Sequence, residues 1–415
     1  NIMFGYSWRN SFTHTTISYP SLTDGLQFNT VQGWLLNFRP TFSKRHDKEG
    51  SRYWAGGGAL NYGFSEKRLR GGLNLKRRFE SIHYTQAELS GGLDILQFDE
   101  NKQIGELVNL LYSLWDRRNY MKLYEKAYAA GRFSRHIGPG LKLEAGAEYA
   151  ERRPLVNHSD YSWYSGDHEY TPNAPLPWID TVPERPFFAP HQAFILDAAL
   201  RIRFGETYST YPKFRYYSPT DWPEITLRYR KAIPGLAGSD VDFDLVQVQI
   251  RQPDFSLGLA GYTEWNLGAG VFLRKERVEF MDYYHPRGNQ TFIGNPRDYA
   301  RGFFLLPYYE FSTADAWVEG HLYHHFNGWI LDKLPLLRRL NWKETLGISA
   351  YYADPYARKP ERANTTTLPY WEISLGFENI GVKFLRPLHV NVAAGFYGKE
   401  HYRTGIVLGL SLQGD

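Results

Sequence analysis

The stretch His401-Tyr-Arg-Thr-Gly-Ile-Val-Leu-Gly-Leu-Ser-Leu-Gln413 decides the fold. Tyr402, Thr404, Ile406, Leu408, Leu410 and Leu412 fall on one side. His401, Arg403, Gly405, Gly409, Ser411 and Gln413 fall on the other, and only Val407 breaks the pattern. A strand points successive side chains to opposite faces, so one face here is apolar and the other is not.

The same two-beat pattern recurs upstream. Leu69, Leu73, Leu75 and Phe79 oppose Arg68, Arg70, Asn74, Lys76 and Arg78. Leu141, Leu143, Ala145, Ala147 and Tyr149 oppose Lys142, Glu144 and Glu148. Phe194, Leu196, Ala198, Leu200, Ile202 and Phe204 oppose Asp197, Arg201 and Arg203, and Trp371, Ile373, Leu375 and Phe377 oppose Glu372, Ser374 and Glu378. A charge facing lipid at the bilayer midplane costs roughly 2–4 kcal/mol, so a barrel would turn these charges into its lumen. A soluble propeller or sandwich would turn the same charges toward water.

Composition favours the barrel. The 415 residues fit one large barrel or two to three ordinary domains. Absence of Cys excludes disulfides and thiolate metal sites. A net charge of +4 is too weak to argue for nucleic acid. Mean hydropathy is −0.49, and no apolar run is long enough for a membrane helix. Yet 17% of residues are aromatic, with 31 Tyr and 12 Trp. A polar lumen and long loops lower hydropathy, while interfacial girdles raise Tyr and Trp. No signal peptide is visible, and a chain starting at Asn1 reads as a mature or trimmed product.

Further strands are expected near 28–43, 52–64, 82–96, 119–134, 224–233, 241–251, 255–265, 267–280, 303–312, 315–326, 343–352 and 388–398. A phase change between Leu245 and Val246 predicts a bulge or a misplaced strand boundary. The reading is an all-β, antiparallel transmembrane barrel of about sixteen strands, at most about eighteen, with short helices in loops. Residues 1–27 would be a lead-in segment or first strand, and 28–415 the barrel. Helical spacing of Ile104, Leu107, Val108, Leu111 and Trp115 predicts a helix over 104–115. The Pro-rich stretch 153–190 reads as a long surface loop. Residues 327–342 read as an amphipathic turn. Trp329, Ile330, Leu334, Leu336 and Leu337 would enter the headgroup layer, with Lys333, Arg338 and Arg339 beside phosphates. A periplasmic C-terminus would put 327–342, 379–387 and the long 282–301 loop in the periplasm, and 153–190 and 353–369 outside.

Six stretches then occur in order: Phe28-Asn-Thr-Val-Gln-Gly33, Gly238-Ser-Asp-Val-Asp-Phe-Asp244, Asp282-Tyr-Tyr-His-Pro-Arg-Gly-Asn-Gln-Thr291, His324-His-Phe-Asn-Gly328, Lys333-Leu-Pro-Leu-Leu337 and Gly376-Phe-Glu-Asn-Ile380. Together they resemble a Bacteroidota outer-membrane family of unknown function. Its members join a carboxypeptidase-regulatory-like β-sandwich, which carries no peptidase chemistry, to a C-terminal barrel. That domain is not in this stretch, so the resemblance implies that it was cleaved, disordered or carried separately. The barrel is also distantly similar to the BamA (surface antigen) superfamily of sixteen-stranded barrels that insert or translocate proteins. Ala300-Arg-Gly-Phe303 is only a partial echo of that superfamily's Val-Arg-Gly-Phe motif, no POTRA-type repeats precede the barrel, and Gln413-Gly-Asp415 replaces the usual terminal aromatic.

Catalytic and metal motifs are weak. Glu319, His321, Tyr323 and His325 share one face, but zinc ligands converge from several elements. Asp240, Asp242 and Asp244 lack an EF-hand's spacing. Nucleophile-elbow, Walker A and dinucleotide motifs are absent from the sequence. No catalytic, metal or cofactor residue is assigned. Lumen positions are expected at Arg68, Arg70, Lys76, Glu144, Glu148, Glu319, His321 and His325, with the basic strand paired to Glu144 and Glu148. Docking or interface positions are Asn289, Gln290 and the 327–342 residues named above. The expectation is a non-enzymatic outer-membrane component of an envelope assembly or export complex. Its partners would be outer-membrane lipids, lipopolysaccharide, and other outer-membrane or periplasmic proteins, without nucleic acid. The alternatives are a small-solute channel selecting through Arg68, Arg70 and Lys76, and a rim hydrolase using His321 or His325.

Overall fold

Strand follows strand because alternating residues cannot satisfy a helix's single apolar stripe. The computed structural model describes residues 5–21, 25–46, 51–163, 169–176, 186–335, 337–353, 369–382, 385–397 and 401–411. The strands are β1 (Tyr6–Asn10), β2 (Thr15–Tyr19), β3 (Leu26–Asn29), β4 (Gly33–Phe38), β5 (Thr41–Arg45), β6 (Tyr53–Gly63), β7 (Arg68–Arg78), β8 (Gln86–Gln97), β9 (Leu123–Gly138), β10 (Leu141–Pro154) and β11 (His191–Arg203). They continue with β12 (Tyr208–Thr210), β13 (Arg215–Tyr217), β14 (Glu224–Ala232), β15 (Asp242–Ser256), β16 (Tyr262–Arg277), β17 (Ile293–Gly294), β18 (Trp317–His325), β19 (Lys343–Ala353), β20 (Tyr370–Val382), β21 (Leu385–Tyr397) and β22 (His401–Leu410). All but the β12–β13 hairpin belong to one 20-stranded sheet. The one α-helix among the described residues is α1 (Glu106–Asp116), within two residues of its expected bounds. No described helix is long and apolar enough to cross a membrane.

The chain divides into two compact units. One holds residues 1–220, 227–245 and 273–281; the other holds 221–226, 246–272 and 282–415. In the first, β6 to β11 pair antiparallel, each with the next. In the second, β16 pairs with β18, and β18 to β22 form an antiparallel meander.

Each unit is amphipathic in the inverse sense of a soluble domain. On β20, Tyr370, Glu372, Ser374, Gly376 and Glu378 are buried, while Trp371, Ile373, Leu375 and Phe377 are exposed. On β7, Leu69, Leu73 and Leu75 are exposed, while Arg70 is 2% exposed. On these strands the covered face is polar and the open face is apolar.

Four expectations are corrected. The single strand at 28–43 is three short ones, because residues 30–32 turn with Gly33 at φ +67° and Pro40 has no N–H for a ladder. The strands expected at 255–265 and 267–280 are β16, preceded by a short turn at Gly258–Ala260. Residues 303–312 form no strand; Gly302–Glu310 is an irregular, continuously buried segment. β15 runs unbroken through Leu245–Val246 to Ser256, so no strand boundary falls at the phase change. Breaks at the start of the chain therefore raise the strand number above eighteen. No strand occurs in the described part of 153–190 beyond β10.

Candidate functional site

The second unit's covered face is built in rows. Register sets Glu319, Tyr351 and Tyr370 side by side, then His321, Ser349 and Glu372, then Tyr323, Gly347 and Ser374. The segment between β16 and β18 lies on these rows. Tyr299, Ala300, Phe304 and Leu305 pack with Tyr323, Ala393 and Val407. Phe303 and Leu306 pack with Trp317, Tyr351 and Tyr370. Glu372 accepts hydrogen bonds from the backbone N–H groups of Phe304 (2.5 Å) and Leu305 (3.1 Å). The Tyr370 hydroxyl donates to the same carboxylate at 2.7 Å. A buried carboxylate held by three donors is a polar anchor for an otherwise apolar segment.

Small residues let the segment approach. β17 pairs in parallel with Leu408–Gly409 of β22, and the Leu408 N–H donates to Phe292 O at 2.7 Å. A Cβ on Gly409 would collide with the Tyr299 hydroxyl and Pro296, and one on Gly405 would press on Leu305. The segment is also closed on itself. Asn289 N–H donates to Leu306 O and Phe303 N–H to Arg287 O, both at 2.8 Å, and Arg287 pairs with Asp298 at 2.7 Å. Tyr284 stacks on Trp317 with centroids 3.5 Å apart.

Residues 282–301, expected as a long periplasmic loop, belong to the segment packed on these strands, and without a strand at 303–312 the backward count no longer puts them on the periplasmic side. Asn289 is half-buried, its Oδ1 accepting from Thr291 N and Oγ1; Gln290 is also half-buried. Sequence reading missed Glu372 and the seated Phe303–Leu306 run as one site. The only sequence signals were Val407 out of phase and two glycines on the same strand.

His321, His325 and Glu319 lie on the covered face. The His325 Nδ1 donates to the Glu378 carboxylate at 2.9 Å, and Tyr262 stacks on its ring at 4.3 Å. His321 Nδ1 is 3.0 Å from Ser349 Oγ and its Nε2 is 3.7 Å from Glu319. This trio has the residue types of a hydrolase, but Phe303 lies edge-on to His321 at 4.6 Å. No group of metal-binding side chains occurs among the described residues.

In the first unit the basic strand is paired, with different partners than expected. Arg70 is held by Glu66 at 2.6 Å and Glu125 at 2.8 Å, and Arg68 meets Glu125 at 2.9 Å. Glu148 instead pairs with Lys126, and Glu144 with Lys142. Lys76 faces Glu88 across the β7–β8 register. Register, which spacing along the chain does not reveal, brings β9 and not β10 to these arginines. Asp240, Asp242 and Asp244 each meet a cation: Arg277, Arg274 and Lys231.

The 327–342 turn contains two short 3-10 helices, Leu331–Lys333 and Arg338–Leu340. Trp329, Ile330 and Leu334 are exposed, as are Lys333, Arg338 and Arg339; Leu337 is half-buried. Leu336 lies outside the described residues. Lys333 Nζ sits 4.7 Å over the Trp329 ring. Asn379 donates to Asn341 O and Arg386 to Leu340 O, tying this turn to the end of β20 and the start of β21.

An all-β sheet, polar where covered and apolar where open, is the architecture of an outer-membrane β-barrel. Several solved structures are similar to this chain, and the first supports the fold. BamA from Haemophilus ducreyi lacking POTRA domains 1–3 superposes with a TM-score of 0.50 at 11% identity, covering 98% of this chain and 74% of that one. CdiB from Acinetobacter baumannii gives 0.39 at 9% identity, covering 93% and 58%. The outer membrane protein OpdK from Pseudomonas aeruginosa gives 0.32 at 12%, covering 95% and 94%. No curated protein matches the sequence. The chain belongs to the family of unknown function DUF5686, whose C-terminal domain it matches over residues 1–377.

Proposed function

We propose that this is an integral barrel of a Gram-negative outer membrane, of Bacteroidota type, serving without catalysis in an envelope assembly or export complex. The observation that carries the membrane reading is the inverse amphipathicity of β7 and β20. Water would not leave Leu73 74% exposed beside a fully covered Arg70, whereas lipid favours that arrangement. A regulatory-like sandwich domain, on the same polypeptide or separate, completes the reading.

Two features support assembly over conduction. The second unit's polar face is already occupied by its own chain, and Arg68 and Arg70 of the first unit are held by Glu125. The exposed Trp329, Ile330 and Leu334, with Arg338 and Arg339 beside them, offer an amphipathic docking surface for lipid or a partner. Gentle detergent extraction from outer membranes, followed by size separation and mass spectrometry, tests the role. Stable co-migrating envelope proteins are expected. A lone monomer, with unchanged outer-membrane protein levels on deletion, overturns it and transfers the weight to a solute channel.

A further inference from the structure

The Phe28–Gly33 motif and the break at Arg39–Pro40 both lie at a weak place in the first unit's sheet. Pairing of β7 with β8 runs from Arg78–Gln86 to Gly72–Gly92 and stops. Beyond that pair, β7 continues along β6 and β8 continues along β9, so the two strands part. Gly92 sits at the fork with φ +150°, where a Cβ would collide with Gly72.

A cavity of about 400 Å³ occupies the fork on the covered side. Amides line it as a connected ladder. Asn29 donates to Gln32 (3.2 Å), Gln32 to Asn61 (2.5 Å), Asn61 to Asn37 (2.6 Å) and Asn37 to Gln27 (3.0 Å). Two of its cations are paired: Arg70 with Glu66 and Glu125, and Lys102 with Glu106. Arg39 lines the cavity too and is exposed. On the open side runs a groove of about 640 Å³ along Ile17, Phe42, Leu75 and Leu89, all exposed. Cavity and groove share Pro40, Thr41, Gly57, Gly58, Leu73 and Asn74. These shared residues, two of them glycines, set an amide-lined chamber next to an apolar groove, beside the point where β7 and β8 part.

We infer that this fork binds a membrane amphiphile with an uncharged, polyhydroxylated head, the head among the amides and the chain in the groove. Each amide offers two donors and a two-lone-pair acceptor, which suits hydroxyls. Of the lining charges, Arg70 is held by Glu66 and Glu125, Lys102 by Glu106, and Arg39 shares the cavity with the Asp94 carboxylate, a balance that disfavours a phosphate. The cavity is of ligand size. The surrounding bilayer supplies the occupant, so the inference rests on the membrane reading.

The test titrates protein purified in lauryldimethylamine oxide with dodecyl maltoside and, in parallel, dodecyl phosphate, scored by native mass spectrometry. One saturable maltoside adduct is expected, formed at a tenfold lower concentration than any phosphate adduct. Gly58→Leu fills the shared wall; a Cβ there finds its nearest neighbour, a Leu73 methyl, at 3.6 Å. It should weaken the adduct at least tenfold, as should Asn37→Leu with Asn61→Leu. Should a variant fail to fold, the head-group comparison in the wild type still decides. Preference for dodecyl phosphate, the absence of a saturable adduct, or equal binding by both folded variants overturns the inference. Wild-type protein missing from the outer-membrane fraction overturns the parent reading instead.

Discussion

Val407 is the one side chain out of phase in the last strand, and its surroundings explain why. It is 1% exposed against Tyr299, Phe304 and Leu305, so its face is dry despite the polar neighbours on either side. Val407→Ala should cost about 2 kcal/mol by losing two buried methyl groups, read as a lower urea midpoint in detergent. Ile406→Ala, on the open face, should leave that midpoint nearly unchanged. Leu375, 63% exposed, tests the other face. Leu375→Arg should lower folding stability in liposomes by roughly 2–4 kcal/mol at midplane depth. A neutral result would argue for water there and against the barrel. Which face each residue takes was legible, because period two survives in a single sequence. Ion partners were not: Arg70 finds Glu125 through strand register, and no local spacing encodes register across a distant hairpin.

At the scale of elements, the turn joining β7 to β8 is organised by Glu80. Its carboxylate accepts from the backbone of Ile82, His83 and Thr85 and from the Thr85 hydroxyl. Burial pushes its pKa up, but the Thr85, His83 and Ile82 hydrogen bonds outweigh it and hold the value at about 2. A carboxylate depressed from 4.5 stabilises the fold above pH 4.5, and that contribution disappears as pH falls toward 2. Hydrogen-exchange protection of these three amides should therefore fall across that window, and Glu80→Gln should flatten the dependence. The seated segment has its own test. Glu372→Ala strips the acceptor from two buried N–H groups, costing about 1–3 kcal/mol each. Limited proteolysis within 282–316 should accelerate while β18 to β22 stay resistant. This segment was misread because Phe303-Phe-Leu-Leu306 is a short continuous apolar run, which periodicity cannot assign. Buried on every side, it had no reason to alternate.

For the molecule as a whole, the choice between assembly and conduction turns on charge that is already spent. Because Arg68 and Arg70 are bound to Glu125, reversing them should damage folding before it alters selectivity. Removing one partner of such a buried pair costs about 3–5 kcal/mol. Bilayer recordings of folded protein should show no selectivity that tracks Arg68, Arg70 or Lys76. Replacing Arg338 and Arg339 with Glu, both exposed, should leave folding intact and reduce co-purifying partners.

The two-residue pairing of β17 with β22 also sets a timetable. Ile293 and Gly294 pair with Leu408 and Gly409, far along the chain, so this contact cannot form until β22 is in place. Until the final strand is laid beside β21, Phe303 to Leu306 have only part of the surface they bury into, and the closure spans a long loop. Complete seating therefore needs β22, and a chain lacking it should expose an apolar, protease-sensitive segment. A protease meeting the chain in that state should cut within 282–316, and laying β22 beside β21 should hide the site.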